Sequence, residues 1–469
     1  MATFIDCASL TGVKIPDSVT SIGFGAFSNC KSLTKITIPA RVKTIADKAL
    51  GYCYDDNGNK KTTALKIYCY SDTQAEAYAK SGKFSYVLLD KLPALAKVTG
   101  VNIGEKAADA LRINWTKNAS ANGYIVEMYQ GGKWVRIAKI ANNSTTTFRK
   151  TGLEASTAYK FRVKAYKMYD ITAVYSAYSA TLSANTDPSG MSGFKVKSKT
   201  STSVTLQWNK NTSATGYELQ KWDGKKWTTL ANIAQNSATT YTVRNLKAGT
   251  AGYRFRIRAY KTYGSTKQYG SWSNEVKVNT NPYGVSGFKC SSKTSTSVTL
   301  KWNKGTTASG YQLQQYKNGK WVTIYTGTKA TNTSYTVKKL KAGTAGYRFR
   351  IRAYKTYGNT KQYGSWSSEV KVNTNPYGVS GFKAKSTAKT SITLGWNKGT
   401  TASGYQLQQY KGGKWVTVYT GTKATSTSYT VKRLKANTSY KFRIRAYKTY
   451  GNTKQYGSWS KVLTVKTKR

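Results

Sequence analysis

The stretch YRFRIRAYKTYGNTKQYGSWS, residues 347–367, decides the fold of most of this 469-residue chain. It recurs with few changes from Tyr253 and from Tyr440. Apolar and cationic residues alternate in its first half, and a period of two is typical of a β-strand with one buried face. The alternation predicts an inward face made by Tyr347, Phe349, Ile351 and Ala353. The arginines between them then share the outer face, about 6.6 Å apart.

A second signal is a repeat of about 94 residues, in which a tryptophan closes an alternating run. The four tryptophans are Trp115, Trp208, Trp302 and Trp396. Each is followed by a Gly-Tyr pair and further alternating runs, and later in the unit by a leucine and a tyrosine, as in Leu340 and Tyr347. Short strands with frequent turn signals at this spacing predict a β-sandwich.

The order Trp, Tyr, Leu, Tyr, followed by a strand with inward Phe and Ala, resembles the fibronectin type III domain. We place four copies of it at 94–187, 188–281, 282–375 and 376–469. The resemblance implies that each tryptophan lies on the second strand and that Leu340 and Tyr347 form a tyrosine corner. The family's integrin-binding RGD triplet is absent from the chain, so integrin binding is not implied.

Residues 1–93 contain a different repeat, with a period of 23 residues. FIDCASLTGVKIPDSVTSIGFGA (4–26) aligns with FSNCKSLTKITIPARVKTIADKA (27–49). Such units must stack, because one alone cannot bury its apolar face. The pattern resembles the BspA-like (treponemal) leucine-rich repeats of bacterial surface proteins. We therefore expect a solenoid that is closed by a helix and a strand within 74–90 and preceded in the natural protein by further coils.

Together the repeats predict a mainly β chain: a short leucine-rich-repeat solenoid with some helix in its C-terminal cap, then four fibronectin type III or immunoglobulin-like β-sandwiches. Short junctions that contain proline, such as NTNPYGVSG, favour an elongated, monomeric rod. No apolar run reaches the roughly 18 residues of a membrane helix, and we find no signal peptide before the first repeat. Both repeat types imply an extracellular location, either on a bacterial cell surface or secreted.

The composition argues against catalysis. The absence of histidine removes the commonest zinc ligand and the usual general base near neutral pH. The five cysteines lack metal-ligand spacing, and the acidic stretch YDDNGN (54–59) lacks the glycine and glutamate of a calcium loop. No phosphate-binding or nucleophile motif occurs. We predict a protein that is not an enzyme, with no catalytic residue, no metal site and no cofactor.

The outward cations form rows of three, and these rows are the candidate residues for binding a polyanion. They are Arg254, Arg256 and Arg258; Arg348, Arg350 and Arg352; and Lys441, Arg443 and Arg445. The loop after each row offers aromatic side chains suited to stacking on sugars or bases. These are Tyr263, Tyr269, Tyr357, Tyr363, Tyr450 and Tyr456. The alternative is a solvated face that keeps a long rod soluble, with tyrosines that cover the end of each core.

Positive charge increases along the chain, which has 75 Lys and Arg residues against 18 Asp and Glu. The five predicted domains carry net charges of +4, +7, +12, +15 and +19 in order. Solubility alone does not require such a gradient. We therefore expect the C-terminal sandwiches to bind an anionic polymer, either teichoic-acid-like polymers of a cell wall or acidic host glycans. The solenoid is then free to recognise a host surface protein or another partner.

Two other functions remain open. Fibronectin type III units are common spacers in secreted glycan-degrading enzymes, so the chain is alternatively an accessory spacer or binding region of a larger enzyme. A catalytic domain upstream of residue 4 would decide for that hypothesis. Nucleic-acid binding is permitted by the charge, but no groove-reading motif is present and both repeat types indicate an extracellular protein.

Overall fold

The fold is described by a computed structural model for residues 4–169 and 172–469. Five separate hydrophobic cores follow one another along the chain, one in the solenoid and one in each sandwich. Nearly all regular structure in the described residues is β-strand, which confirms the predicted fold class. The solenoid contains β1 (Gly12–Lys14), β2 (Ser21–Ile22), β3 (Lys35–Thr37), β4 (Thr44–Ile45), β5 (Tyr52–Tyr54), β6 (Lys60–Thr62), β7 (Lys66–Cys69), α1 (Gln74–Ser81) and β8 (Ser85–Leu88).

The solenoid repeat appears directly in the strand register. Strands β1, β3, β7 and β8 form one parallel sheet, in which Val13 pairs with Ile36. Strands β2 and β4 pair in parallel as well, with Ile22 opposite Ile45. Both pairs are separated by the 23 residues of the sequence period, so the predicted stacking of the first two units is confirmed. The polar insertion forms the β5–β6 hairpin, and Asp55 at its turn accepts a hydrogen bond from the backbone amide of Asn59 at 2.8 Å.

The predicted closing helix and strand are α1 and β8. Thr73 caps α1 by accepting a hydrogen bond from the backbone amide of Glu76, and Glu76 forms an ion pair with Lys80 one turn later. The hydroxyl group of Tyr78 donates to the carbonyl oxygen of Leu50 at 2.8 Å, which ties the helix to the preceding coil. Strand β8 then pairs with β7 and ends the parallel sheet.

Each sandwich has eight strands in the same order. The first contains β9 (Asn102–Lys106), β10 (Ala110–Asn114), β11 (Gly123–Gln130), β12 (Lys133–Ile140), β13 (Thr147–Thr151), β14 (Ala158–Tyr169), β15 (Thr172–Tyr175) and β16 (Leu182–Asn185). The second contains β17 (Lys195–Lys199), β18 (Val204–Gln207), β19 (Gly216–Trp222), β20 (Trp227–Ile233), β21 (Thr240–Val243), β22 (Tyr253–Tyr263), β23 (Thr266–Tyr269) and β24 (Val276–Val278). The third contains β25 (Lys289–Lys293), β26 (Val298–Lys301), β27 (Gly310–Lys317), β28 (Lys320–Gly327), β29 (Ser334–Val337), β30 (Tyr347–Tyr357), β31 (Thr360–Tyr363) and β32 (Val370–Val372). The fourth contains β33 (Lys383–Thr387), β34 (Ile392–Gly395), β35 (Gly404–Lys411), β36 (Lys414–Gly421), β37 (Ser428–Val431), β38 (Ser439–Tyr450), β39 (Thr453–Tyr456) and β40 (Leu463–Lys466).

Two antiparallel sheets make up each sandwich, as the third one illustrates. Strands β25, β26 and β29 form the smaller sheet, and β28, β27, β30 and β31 form the larger one, with β32 also paired to β30. Trp302 follows β26 directly and packs edge-on against the fully buried Tyr311, with ring centroids 5.4 Å apart. The smaller sheet ends at β29 and the larger one at β28, so these two strands face each other at one side of the sandwich.

The tyrosine corner that the resemblance implies is present in all four sandwiches. In the third, the hydroxyl oxygen of Tyr347 accepts a hydrogen bond from the backbone amide of Lys341 at 2.9 Å, next to the buried Leu340. The equivalent bonds to Tyr159, Tyr253 and Tyr440 measure 2.8, 2.9 and 2.7 Å. The corner fixes the start of the long sixth strand, which carries the row of cations.

Candidate functional site

The cation rows lie on the outer face of the sixth strand, as predicted. In β30, Phe349 and Ile351 are fully buried, whereas Arg348, Arg350 and Arg352 are half-buried on the opposite face. Strands β22 and β38 have the same alternation. The rows therefore face away from the core, but their arginines are less exposed than a solvated row would be.

Aromatic side chains account for this partial burial. The guanidinium of Arg350 lies between the rings of Trp321 and Trp366, 4.3 and 4.2 Å from their centroids. Arg352 in turn lies between Trp366 and Tyr363, at 4.3 and 3.8 Å. These five side chains form an arginine–aromatic ladder across the outer face of the larger sheet. Cation–π contacts of this kind stabilise the ladder and hold each guanidinium in one place.

The same ladder occurs in the other sandwiches. Arg256 lies between Trp227 and Trp272 at 4.5 and 4.1 Å. Arg443 lies between Trp415 and Trp459 at 4.3 and 4.2 Å. In the first sandwich Arg162 takes this place, and Tyr178 replaces the second tryptophan. The ladder is thus a shared feature of all four units.

A neutral side chain on the neighbouring strand completes the contacts of the central arginine. Gln314 on β27 accepts two hydrogen bonds from Arg350, from Nε at 2.9 Å and from Nη2 at 2.7 Å. Gln220 and Gln408 do the same for Arg256 and Arg443. Because an amide oxygen brings no charge, this contact does not compensate the positive charge of these three arginines.

From the second to the fourth sandwich, carboxylates compensate the outer members of the rows to a degree that falls along the chain. In the second sandwich Arg254 pairs with Glu275 and Arg258 with Glu218, with shortest distances of 2.7 and 2.6 Å. The ion pair with Glu218 could not be predicted from proximity in sequence. Glu218 lies on β19 and comes beside Arg258 because β19 pairs with β22. These two ion pairs compensate both outer members of the row in the second sandwich.

The third and fourth sandwiches lose these carboxylates step by step. Arg348 still pairs with Glu369 at 2.8 Å, but Arg352 bonds to Gln312 in place of a glutamate. In the fourth sandwich Arg445 bonds to Gln406, and Lys441 has no ion-pair partner among residues 4–169 and 172–469. The whole fourth sandwich contains no acidic residue. The charge gradient therefore coincides with a loss of compensation on one face of the fold.

Hydrogen bonding and burial shift the pKa values of the row arginines in opposite directions. The hydrogen bond with Glu369 raises the pKa of the Arg348 guanidinium above its usual value. Burial lowers the pKa of Arg352 and that of Arg445, because a low-dielectric surrounding disfavours the charged form. Arginine nevertheless stays protonated in proteins, so the rows remain cationic.

The six loop tyrosines are partly or wholly engaged by other parts of the chain. Tyr269, Tyr363 and Tyr456 cover the third arginine of their rows, each at 3.8 Å. Tyr357 and Tyr450 reach back to the preceding sandwich, where their hydroxyl groups donate to the carbonyl oxygens of Thr280 and Thr374, both at 3.0 Å. The hydroxyl group of Tyr263 is buried at the equivalent position without a hydrogen-bond partner within the described part of the chain. Ligand contact by these tyrosines stays a prediction.

Comparison with known families agrees with this architecture. The model of the fibronectin type III domain matches residues 96–176, 187–277, 283–370 and 377–465. The chain belongs to the fibronectin type III family. Six copies of the BspA-type leucine-rich repeat match residues 1–76, which confirms the second resemblance. Domains of both kinds are typical of bacterial surface and secreted proteins.

The relatives of this fibronectin type III chain include two proteins that are named as glycan-degrading enzymes. Exoglucanase B of Cellulomonas fimi is 31% identical over 322 residues, which are 65% of this chain and 27% of that protein. Chitinase A1 of Niallia circulans is 33% identical over 186 residues, which are 37% of this chain and 24% of that protein. The chain thus matches about a quarter of the length of each. Among solved structures, the chicken CNTN1 FN1–FN3 domains match with a TM-score of 0.25 and 16% identity, over 60% of this chain and 99% of that one.

Within the described residues, no helix combines the length and the apolar character that crossing a bilayer requires.

Proposed function

We propose that this chain is a non-catalytic binding region of a bacterial surface or secreted protein. In this proposal the third and fourth sandwiches bind an anionic polymer, which is a teichoic-acid-like polymer of a cell wall or an acidic host glycan, and the solenoid recognises a partner. The observation that carries it is the parallel between the net charge, which rises from +12 to +19 between the second and the fourth sandwich, and the loss of carboxylate partners along the same three cation rows.

The physics of such binding favours many weak contacts. An exposed ion pair contributes about 1 kcal/mol or less, so affinity has to come from their number. Release of counterions from the polymer makes the binding weaken steeply with salt. Two tethered, closely similar sandwiches on a repetitive polymer gain avidity of order 10²–10⁴.

The exposed lysines are better suited to the initial contact than the ladder arginines. The arginines are held between rings and bonded to glutamine, whereas lysines such as Lys383 and Lys454 are exposed. A test that changes only lysines also leaves the ladder intact, so a loss of binding is not confused with a loss of folding.

The experiment compares two variants of the full chain, each with four exposed lysines changed to glutamine. The first changes the fourth sandwich at Lys383, Lys398, Lys435 and Lys454. The matched control changes the equivalent positions of the second sandwich, Lys195, Lys210, Lys247 and Lys267. Binding to immobilised poly(glycerol phosphate) and to heparin is then measured across a range of salt concentrations.

We expect the fourth-sandwich variant to lose at least about tenfold in affinity and to have a smaller salt dependence, since each lost contact removes one released counterion. The control should change little. Equal losses in both variants would mean that only total charge matters, and binding that does not respond to salt would contradict the proposal.

A second candidate function is favoured by the named relatives. Because exoglucanase B and chitinase A1 match this chain in part of their length, the sandwiches are alternatively an accessory region of a glycan-degrading enzyme. Pull-down on insoluble cellulose and chitin tests this alternative. Retention on either neutral polymer at high salt would favour the enzyme-accessory function over the polyanion one.

A further inference from the structure

The third sandwich has a cleft at the side where its two sheets end. It has a volume of about 1030 Å³ and lies between edge strands β28 and β29. Its apolar wall includes Ile324 and Leu340, and three tyrosines line it as well: Tyr316, Tyr335 and Tyr347. The cleft opens between the sheets and adjoins the arginine–aromatic ladder at Tyr316, whose ring packs against Trp321 with centroids 5.3 Å apart.

A buried amide lines this cleft. Gln315 is at an inward position of β27, in register with Phe349, and is 2% exposed. Its side-chain oxygen Oε1 has no hydrogen-bond partner among the described residues. Burying a polar atom without a partner is unfavourable, and such atoms in native proteins call for an explanation.

The other sandwiches indicate that the fold does not need this glutamine. The equivalent inward residue of the first sandwich is Met128, which pairs with Phe161 and is fully buried. In the second sandwich it is Lys221, which extends towards the ring of Tyr253 at 5.9 Å. An apolar side chain therefore fits the same place, and the unpartnered oxygen of Gln315 is unfavourable for stability.

The fourth sandwich repeats the arrangement. Gln409 is 1% exposed, and its Oε1 also lacks a partner within residues 4–169 and 172–469. The residues equivalent to the tyrosines and to the rim of the cleft are similar or identical: Tyr410, Tyr429, Tyr440, Lys432, Arg433 and Lys435. The unpartnered glutamine thus occurs in the two sandwiches with the highest positive charge.

The rim of the cleft is cationic and lacks compensation. Four lysines line it: Lys317, Lys338, Lys339 and Lys341. The only acidic residue in 282–375 is Glu369, which is paired with Arg348 on the outer face of the larger sheet. No carboxylate lines the cleft itself.

These features together define a ligand chemistry. Gln315 Oε1 accepts a hydrogen bond from a hydroxyl group, tyrosine rings provide flat apolar contact for a sugar or polyol carbon skeleton, and the lysines attract an anionic substituent. We propose that this cleft, and its counterpart at Gln409, binds one hydroxyl-bearing, negatively charged unit of a polymer, such as a uronic acid residue or a glycerol phosphate unit. This inference rests on the proposed function and gives it a specific site.

The first test keeps the net charge of the chain constant. Gln315→Met and Gln409→Met are combined in the full-length chain, so that both clefts receive the residue of the first sandwich. Binding is measured with two short probes, a glucuronate-containing heparin tetrasaccharide and a glycerol phosphate tetramer, with a neutral cellotetraose as reference. Short probes contact one unit at a time, so avidity does not hide the loss of a single hydrogen bond.

We expect the double variant to lose about tenfold in affinity for the charged probe that binds the natural chain, which is the effect of one buried hydrogen bond. Its melting temperature should stay equal or rise, because the orphan amide is gone. Preference for one probe over the other identifies the source of the ligand. Unchanged affinity in the variant overturns the cleft as the site, while binding of long polymers by the same protein leaves the proposed function standing.

The second test changes only exposed residues and leaves the core residues unchanged. Lys338, Lys339 and Lys341 are changed to glutamine in one variant, and the equally exposed Lys289, Lys301 and Lys304 of the same sandwich in its control. The rim variant should lose at least about fivefold more affinity for the short probe than the control, since only its lysines are in contact range. Equal losses overturn the proposal, and failure of the natural chain to bind either short probe better than cellotetraose does so as well.

Discussion

The guanidinium of Arg350 lies 4.2 Å from the ring of Trp366, and that of Arg352 lies 4.3 Å from the same ring. One tryptophan therefore holds two like charges on neighbouring outward positions of a strand. These two charges repel each other, which is unfavourable for adjacent side chains on one face of a sheet, and the contacts with the ring offset part of this repulsion. The ladder thus adds stabilising cation–π contacts at a place where the row of arginines alone would be unfavourable.

Trp366→Ala should destabilise the third sandwich by about 2 kcal/mol, because two cation–π contacts and the buried face of the indole are lost together. Hydrogen exchange of the amides of β30, followed by mass spectrometry, measures this locally in the full chain. Trp366→Tyr, which copies Tyr178 of the first sandwich, should recover most of the loss. Equal protection in the alanine variant and the natural chain would contradict a stabilising ladder.

Arg350→Lys should cost about 1 kcal/mol, since lysine loses the planar contact with two rings and the forked bond to Gln314. Arg348→Lys is the control, because the fourth sandwich has Lys441 at that position and tolerates it. The expected result is a clear drop in the unfolding midpoint for the first variant and a smaller one for the second. The reverse order would mean that the ion pair with Glu369 outweighs the stacking.

Tyr357→Phe and Tyr450→Phe each remove one hydroxyl group that bonds to the preceding sandwich. We expect the angle between neighbouring sandwiches to vary more, with unchanged stability inside each one, because the lost bond lies between two separate cores. Small-angle X-ray scattering of the full chain measures this as a broader distribution of maximum dimensions. The control is Tyr363→Phe, whose hydroxyl group forms no hydrogen bond across a junction, and an equal effect there would count against the assignment.

Burial raises the pKa of the Cys69 thiol to about 11. A folded-state pKa above the unfolded value means that the protonated thiol favours the fold, and this contribution is lost as pH rises from about 9 towards 11. The urea midpoint of the solenoid should therefore fall over that range, and Cys69→Ala should show a shallower fall. Alkylation by iodoacetamide at pH 8 should modify the half-buried Cys53 well before Cys69. Equal labelling rates would contradict the burial of this thiol.

Much of the fold could be predicted from the periods of the sequence patterns alone, which are the repeat lengths and the alternation within strands. The offset of 23 residues gives the pairing of Val13 with Ile36, and the strict alternation after Tyr347 gives the inward and outward faces of β30. Both patterns are local in sequence and repeat, so they need no knowledge of distant contacts.

The surroundings of the cation rows could not be predicted in the same way. Gln314 and Trp321 lie about thirty residues from Arg350 and meet it only through strand pairing, which a single sequence does not give. A usable signal did exist, since each row recurs together with one tryptophan before it and one aromatic residue after it. The cleft at Gln315 had no such signal, because glutamine at an alternating position looks inward or outward only once the register is known.

The contacts at the junctions have a consequence for how such a chain changes in length. The unit 282–375 contains both a donor and an acceptor for these junction hydrogen bonds. Tyr357 donates to the preceding sandwich, and the carbonyl oxygen of Thr374 accepts from Tyr450 of the next one. Duplication or deletion of one such unit in the gene would therefore retain the hydrogen bond at every remaining junction between these later units. The first joint is different, because there Gln268 donates to Asp187. The contacts at the later junctions therefore place no constraint on how many such units follow one another, whereas the junction with the first sandwich has contacts of its own.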